Sequence, residues 1–310
     1  MTGGAEAVGR GPDASRGAGD AAGSGGLDGL RLCRVGAGGA GAGGIALGND
    51  RPAVVIGGVN VLEDLDTALR VGEVFRTTTE RLGLPYVFKA SFDKANRSSA
   101  RSYRGPGPDD GLAMLARVKQ ELDVPLVTDV HTAGQCAPAA EVADLLQIPA
   151  FLVRQTDLIH AAAATGRPLH LKKMQMMAPE DLRTAAEKCA RAGATGVVLC
   201  ERGTAFGYHH LVVDMVGLAR MREFGPPVTL DVTHALQLPG ALGDAAGGRG
   251  RYAAPLARAG TALGLAGLFI EAHPDPGRAP CDGPSATAIA DLPDLLRQIK
   301  EVDELVKGVG

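Results

Sequence analysis

Tryptophan is absent from this sequence and aromatic residues make up only 4% of it, so a core has to rest on Val, Leu, Ile and Ala. A strong excess of either charge is missing as well. The formal net charge is −3, which leaves no basic footprint for nucleic acid or an anionic membrane, so any anion chemistry must come from local clusters. Cysteine is sparse: Cys33, Cys136, Cys189, Cys200 and Cys281 are five in number, widely spaced and without a CxxC pair. That argues against a disulfide framework and against a cysteine-built zinc site. Cys189 and Cys200 lie in apolar stretches and read as reduced core residues. No run approaches the roughly 18 apolar residues of a membrane span. The N-terminus lacks the basic and apolar regions of a signal peptide. The protein is expected to be cytoplasmic, with no nucleic acid and no membrane among its partners.

Glycine, by contrast, is abundant, and the first 50 residues hold 17 of the 44. Residues 1–28 show no hydrophobic period and read as a disordered Gly/Ala-rich tail. Residues 29–50 contain two short apolar segments, 30–35 and 45–47, suited to the arms of an N-terminal hairpin. Residues 36–41 (GAGGAG) fit G-x-G-x-x-G, but the glycine run continues where a helix should open, so the dinucleotide fingerprint lacks its structural context.

From residue 51 to 310 the texture is uniform. Strand-like runs at 53–58, 86–90, 126–130, 145–148, 169–172, 197–200, 228–232 and 268–271 alternate with helical patterns. The helices read as 62–82, 109–122, 135–143, 158–165, 179–192, 212–223, 252–263 and 286–306. Several stop at a glycine (Gly83, Gly166, Gly193, Gly264), where a left-handed residue ends a helix. Eight consecutive strand–helix units over this length predict a (β/α)8 TIM barrel as the catalytic domain, with a doubly wound open sheet as the alternative.

A barrel places its active site at the C-terminal ends of its strands. Those ends read Asn60, Lys89, Asp129 with His131, Gln147, Lys172 with Lys173, Arg202, Asp231 with His234, and Glu271 with His273. The second strand runs into the loop of residues 86–99, YVFKASFDKANRSS, where Lys supplies point charge, Arg a planar fork of donors, and Ser and Asn neutral hydrogen bonds suited to phosphate. An ordinary solvated basic loop is the alternative. Lys89, Lys94, Arg97, Lys172 and Arg202 facing one cavity would carry more charge than one phosphate monoester needs, and would repel one another if left empty. Two anionic ligands, or one with a phosphate and a carboxylate, would suit them. His234, Glu271 and Asp282 could bind a divalent metal or form a hydrogen-bonded network. Lys89 or Lys172 could form a Schiff base. His160, His170, His209 and His210 have no evident partners and read as surface or packing residues.

The motifs FKASFDKANRSS (88–99), SYRGPG (102–107), TDVH (128–131), RQTDL (154–158), FGYHHLVVDM (206–215), DVTHALQ (231–237), LAGLFIEAHPDP (265–276) and CDGPSA (281–286) closely resemble the 3-deoxy-D-manno-octulosonate 8-phosphate (KDO 8-phosphate) synthase family. The match runs over about residues 46–308. The resemblance implies a (β/α)8 barrel with an N-terminal hairpin, assembled as a homotetramer. It implies condensation of phosphoenolpyruvate with D-arabinose 5-phosphate and water, releasing inorganic phosphate, on the way to lipopolysaccharide or related glycans. Lys89, Lys94, Lys172 and Arg202 would hold phosphoenolpyruvate, with Gln147 and His234 near it. Asn96, Arg97 and Ser98 would hold the pentose phosphate, with Arg154 reaching it from a neighbouring subunit. Asn60, Lys94, Asp129, His131 and His234 are the candidate catalytic residues.

In the metal-dependent branch of that family a Cys occupies the position of Asn60 and completes a site with residues matching His234, Glu271 and Asp282. Asn60 here resembles the metal-independent branch, and an amide is a poor ligand for a borderline-soft ion. No metal or other cofactor is therefore expected to be required. Residues 172–176 (KKMQM) depart from the family pattern in their methionines, Pro255 falls within a helical stretch, and the glycine-rich extension is unlike a short family N-terminus. The rival readings are a sister synthase using erythrose 4-phosphate, a Schiff-base aldolase, and a catalytically silent sugar-phosphate-binding barrel.

Overall fold

The computed structural model describes residues 1, 26–36, 44–97, 99–241 and 246–308. Most of the expected tail, most of the glycine pattern at 36–41, and Ser98 lie outside the described residues. Strands β1 (Cys33–Val35) and β2 (Ile45–Leu47) pair antiparallel as a hairpin. The barrel follows: β3 (Val54–Val61), helix α1 (Leu65–Leu82), β4 (Tyr86–Ser91), α2 (Pro108–Leu122), β5 (Leu126–Asp129), α3 (Ala133–Val142), β6 (Leu145–Ile148), α4 (Thr156–Ala163), β7 (Leu169–Lys172), α5 (Pro179–Arg191) and β8 (Val197–Glu201). A two-stranded ribbon, β9 (Thr204–Ala205) with β10 (Leu211–Val212), precedes α6 (Met215–Glu223) and β11 (Val228–Asp231). A second ribbon, β12 (Gln237–Leu238) with β13 (Gly247–Gly248), leads to α7 (Ala253–Thr261) and β14 (Gly267–His273). The short β15 (Thr287–Ala288) extends the edge of β14 before the last helix, α8 (Leu292–Lys307).

Strands β3, β4, β5, β6, β7, β8, β11 and β14 are all parallel, and β14 pairs back onto β3, which closes the barrel. Closure excludes the open doubly wound sheet. Apolar side chains fill two spaces. Val55, Phe88, Leu126, Leu146, Leu169, Leu199 and Leu230 face outward and pack with the helices, among them Phe75 and Leu115. Val54, Ile56, Val87, Val127, Leu145, Val198 and Phe269 face the barrel axis, together with Cys33, Val35 and Leu47 of the hairpin. The period-2 alternation of each strand sorts its residues into these two layers. The hairpin thereby seals one end of the barrel and leaves the other for polar chemistry.

Element boundaries follow local chemistry. Helix α1 begins three residues later than its hydrophobic pattern suggests, because the Asp64 carboxylate accepts from the backbone N–H of Thr67 at 2.7 Å and caps it. It ends at Gly83, whose φ of 67° is the left-handed stop the sequence predicts. Helix α6 also starts later, at Met215, because Leu211–Val212 is drawn into a ribbon. The expected last helix loses residues 286–291 to β15 and a following turn, and Pro293 falls in the first turn of α8. Pro255 likewise sits in the first turn of α7, where its missing N–H costs little.

Strand β3 is special. The register with β4 shifts between Gly58 and Val61, an irregularity of the kind that re-aims side chains at a site. A Cβ at Gly58 would lie 2.0 Å from the Lys89 carbonyl oxygen, so only glycine lets the two strands approach there.

Candidate active site

The strand ends opposite the hairpin enclose a cavity of about 230 Å³ lined by Lys89, Lys94, Asn96, Arg97, Asp129, His131, Gln147, Lys172, Arg202, Asp231, His234 and Asp282, among others. Each side chain arrives by the alternation of its strand. On β4, Lys89 and Ser91 share the inward face, and both are buried. The Lys89 Nζ donates to Glu271 Oε1 at 2.7 Å and to Ser91 Oγ at 3.0 Å. Lys94, from the following loop, donates to the same Ser91 Oγ at 2.9 Å. The Ser91 hydroxyl in turn donates to Asp129 Oδ1, whose second oxygen lies 3.1 Å from His131 Nε2.

On the other side, Lys172 Nζ donates to Asp231 Oδ2 at 2.6 Å and sits 3.1 Å above the centroid of the Phe269 ring. Asp231 also contacts His234 Nδ1 at 2.6 Å, so that ring carries its proton toward Asp231 and turns Nε2 to Glu271 (3.4 Å) and Asp282 (3.8 Å). Asn60, re-aimed by the β3 irregularity, donates from Nδ2 to Asp282 Oδ2 at 2.9 Å. Phe269 lies in the core layer beneath Lys172, whose ammonium sits over its face, with the rings of His170 and His234 about 6 Å away.

Arg202 is buried, and its Nη2 donates to Gln237 Oε1 at 2.7 Å. Its Nη1 is enclosed and has no hydrogen-bond partner among the described residues. A buried guanidinium donor without an acceptor is costly to a protein unless something else supplies the acceptor.

The charge balance differs from the sequence expectation. The five cations Lys89, Lys94, Arg97, Lys172 and Arg202 do not face the cavity alone, because Asp129, Asp231 and Asp282 line it with them and Glu271 lies behind. Burial opposes ionisation of Asp129, but Lys89 and Lys94, then His131, outweigh it and hold the carboxyl well below the usual range. Burial is likewise overcome at Asp231 by His234 and Lys172, at Glu271 by His234 and Lys89, and at Asp282 by His234 and Lys94; all three pKa values are lowered. Burial pulls Lys89 and Arg202 down from their ordinary values, and the neighbouring carboxylates only partly offset it. At Lys94 the carboxylates Glu271 and Asp129 overcome burial and raise the pKa. The cavity is thus lined by a compensated ion network rather than by a cluster of self-repelling cations.

Not every strand-end residue reaches the cavity. Lys173 turns into its own loop, donating to the carbonyls of Met177 at 3.1 Å and Met174 at 3.4 Å. His273 pairs with Glu63 at 3.1 Å and does not line the cavity. Arg154 is exposed and absent from the lining of this chain's own cavity. Asn96 and Arg97 do line it, and Arg97 Nη1 contacts Cys281 Sγ at 2.5 Å. His170, expected to lack partners, is buried and hydrogen-bonded to Gln147 and Thr229.

The set His234, Glu271 and Asp282 does come together, with one oxygen of each carboxylate engaged and Glu271 Oε2 without a hydrogen-bond partner among the described residues. The Asn60 amide points N–H, not a lone pair, at Asp282, and Glu271 already has the Lys89 ammonium as its cation.

Ser91, named in the sequence among the hydroxyls of the 86–99 stretch, does reach the site. Gln237 and Phe269 are neighbours of the site that residue-type reasoning did not single out; Phe269 was readable in principle, two residues before Glu271 on the same strand face.

The model of the family described as DAHP synthetase I matches residues 31–308. The chain belongs to that family. Among curated members, the 2-dehydro-3-deoxyphosphooctonate aldolase of Hahella chejuensis is 55% identical over 265 residues, covering 86% of this chain and 94% of the relative. The protein of the same name from Shewanella woodyi is 55% identical over 267 residues, covering 86% of this chain and 95% of the relative. The family assignment covers the whole barrel, the hairpin and every described strand end named above.

Proposed function

We infer that this protein condenses phosphoenolpyruvate with D-arabinose 5-phosphate and water to give 3-deoxy-D-manno-octulosonate 8-phosphate and inorganic phosphate, the activity that goes with the name its curated relatives carry. The structural observation that supports it most directly is the unpaired, buried Nη1 of Arg202 in a cavity shared with Lys89, Lys94 and Lys172. That is the donor set a phosphate and a carboxylate would satisfy.

In this reading Lys94, Lys172 and Arg202 hold the enolpyruvate phosphate and carboxylate, with Lys89 behind them and Gln147 and His234 beside them. Asn96, Arg97 and Ser98 hold the pentose phosphate. Carbon 3 of the enol attacks the aldehyde carbon, forming the new C–C bond, while a water oxygen bonds to carbon 2, where positive charge develops. The water's proton passes to a base and the aldehyde oxygen gains one. The resulting hemiketal phosphate then breaks the bond between carbon 2 and the bridging oxygen: its hydroxyl gives up a proton and becomes the 2-keto oxygen, and the bridging oxygen leaves as part of inorganic phosphate. Asp129, held ionised, and His131 next to it are the candidate proton carriers. The cations stabilise the charge that moves between oxygens, and the cavity fixes the two reactants face to face.

We further propose that no metal is required, Asn60 instead holding Asp282 beside the reacting centre. A homotetramer is the proposed assembly. Phe151, Phe206, Tyr208 and Val216 are large apolar side chains left exposed, and Phe151 and Arg154 lie on one short segment at the mouth. A neighbouring copy would bury such groups and could receive Arg154. The cytoplasm is the proposed location, in keeping with five free, buried cysteines. The product would feed the Kdo sugar of lipopolysaccharide.

Purified protein with phosphoenolpyruvate and each aldose phosphate in turn tests the assignment. Phosphate release with arabinose 5-phosphate, and much less with erythrose 4-phosphate, is expected. Release only with erythrose 4-phosphate, or with neither, would overturn it.

A further inference from the structure

Where β7 and β8 reach the mouth, each presents a doublet with one member in the cavity and one turned away from it. Lys172 and Arg202 line the cavity, whereas their neighbours Lys173 and Glu201 do not. Lys173 and Glu201 are each only 1% exposed and face one another, Nζ 3.5 Å from Oε2. A buried ion pair thus adjoins two of the cavity's cations. Burial raises the Glu201 pKa, and Lys173 with the backbone N–H groups of Gly203 and Arg202 pulls against it. Taking two charges out of water is costly, and such a pair is a weak source of stability, so its position calls for another reason.

The reason lies in what else the pair holds. Glu201 Oε1 accepts from two consecutive backbone N–H groups, that of Arg202 at 2.9 Å and that of Gly203 at 2.6 Å. Lys173 Nζ also donates to Thr204 Oγ1 at 3.1 Å, and the Ala205 N–H donates to the Gln175 carbonyl at 2.8 Å. Residues 173–177 and 201–205 are therefore fastened to each other, with Arg202 at the clamp. The far end of that side chain is held by one hydrogen bond, from Nη2 to Gln237 Oε1 at 2.7 Å, while Nη1 has no partner among the described residues. A long, rotamer-rich side chain is aimed only when its root is fixed as well as its tip.

We propose that Glu201, paired with Lys173, is a positioning residue: it fixes the Arg202 backbone and so aims the unpartnered Nη1 at an anionic group of phosphoenolpyruvate. The identity of that ligand rests on the proposed function, whereas the aiming of Arg202 does not.

Two double variants separate this role from packing. Glu201→Gln with Lys173→Met removes both charges, but the amide oxygen can still accept from the two N–H groups. Glu201→Met with Lys173→Met keeps the length and removes the acceptor as well. Exchanging a buried ion pair for uncharged groups of similar volume is often neutral for stability, so both are expected to fold. Titration calorimetry with phosphoenolpyruvate alone should give a dissociation constant within about threefold of the unmodified protein for the first variant, and about tenfold or more weaker for the second. Equal affinity in the two overturns the proposal. Crystal structures of both variants without ligand read the aim itself. The second should show the guanidinium moved off Gln237 Oε1, and a contact kept at 2.7 Å would overturn the proposal. If the methionine pair does not fold, Glu201→Asp, one methylene shorter, withdraws the same acceptor with the charge kept, and the same two readings apply. Absence of phosphoenolpyruvate binding by the unmodified protein would count against the assigned reaction, and the ligand-free structures would still decide the role of Glu201.

Discussion

Lys89 and Glu271, 182 positions apart in sequence, form a 2.7 Å ion pair inside the barrel. The bond joins β4 to β14 across β3, both partners almost fully out of water. Its geometry depends on Gly58, the one residue that lets β3 pass close to the Lys89 carbonyl.

Glu271→Gln should therefore be damaging out of proportion to its size. It leaves the Lys89 ammonium buried without its main counter-charge, and removing one member of a buried pair costs about 3–5 kcal/mol. Denaturant unfolding should show a loss of that order. A change under about 1 kcal/mol would mean the pair is not held as described.

Arg202→Lys should weaken catalysis without unfolding the protein. Lysine keeps the charge but cannot present both the donor to Gln237 and the free Nη1. Losing one charge-assisted hydrogen bond of about 1.5–3 kcal/mol predicts about a ten- to hundred-fold drop in kcat/KM. Steady-state kinetics at fixed pentose phosphate would measure it.

Arg97→Ala is expected to act on the other substrate. Arg97 lies at the cavity rim beside Cys281, away from the Lys172–Asp231 pair. The KM for arabinose 5-phosphate should rise about tenfold or more, with that for phosphoenolpyruvate much less affected. Equal effects on both would place Arg97 at the wrong ligand.

Acid should destabilise the protein through the site itself. Asp129, Asp231, Glu271 and Asp282 all have folded pKa values below their ordinary 3.8 or 4.5. Depressed carboxyls contribute stability that is fully present above the unfolded value and is lost as pH falls through the folded one. Their contribution should hold steady above 4.5 and decline below it. Asp231→Asn should flatten that acid limb; an unchanged limb would remove Asp231 from the account.

Chelation tests the metal proposal. Activity should survive prolonged dialysis against EDTA, because Asn60 turns an N–H toward Asp282 and Lys89 already balances Glu271. Loss of activity restored by Mn²⁺ or Zn²⁺ would contradict it.

The barrel was legible because its signals are local. Alternating apolar residues mark each strand, and glycines such as Gly83, with a φ of 67°, mark helix ends. Boundaries shifted where a cap or a ribbon competed with the hydrophobic pattern, as at Asp64 and at Leu211–Val212. Strand-end position alone placed Lys89, Asp129, Gln147, Lys172, Arg202 and His234 at one mouth. It erred for Lys173 and His273, because which way a side chain turns after a strand ends depends on the loop that receives it.

From the chain's own order of residues came the number of strand–helix units, the inward faces of the strands and the supply of phosphate-binding side chains. Only the closed barrel decided that Lys89 meets Glu271, that Lys172 meets Asp231, and that His170 bridges Gln147 and Thr229. Periodicity is carried by neighbouring residues, whereas pairing between strand ends is set by barrel register, and that register exists only once β14 has paired with β3.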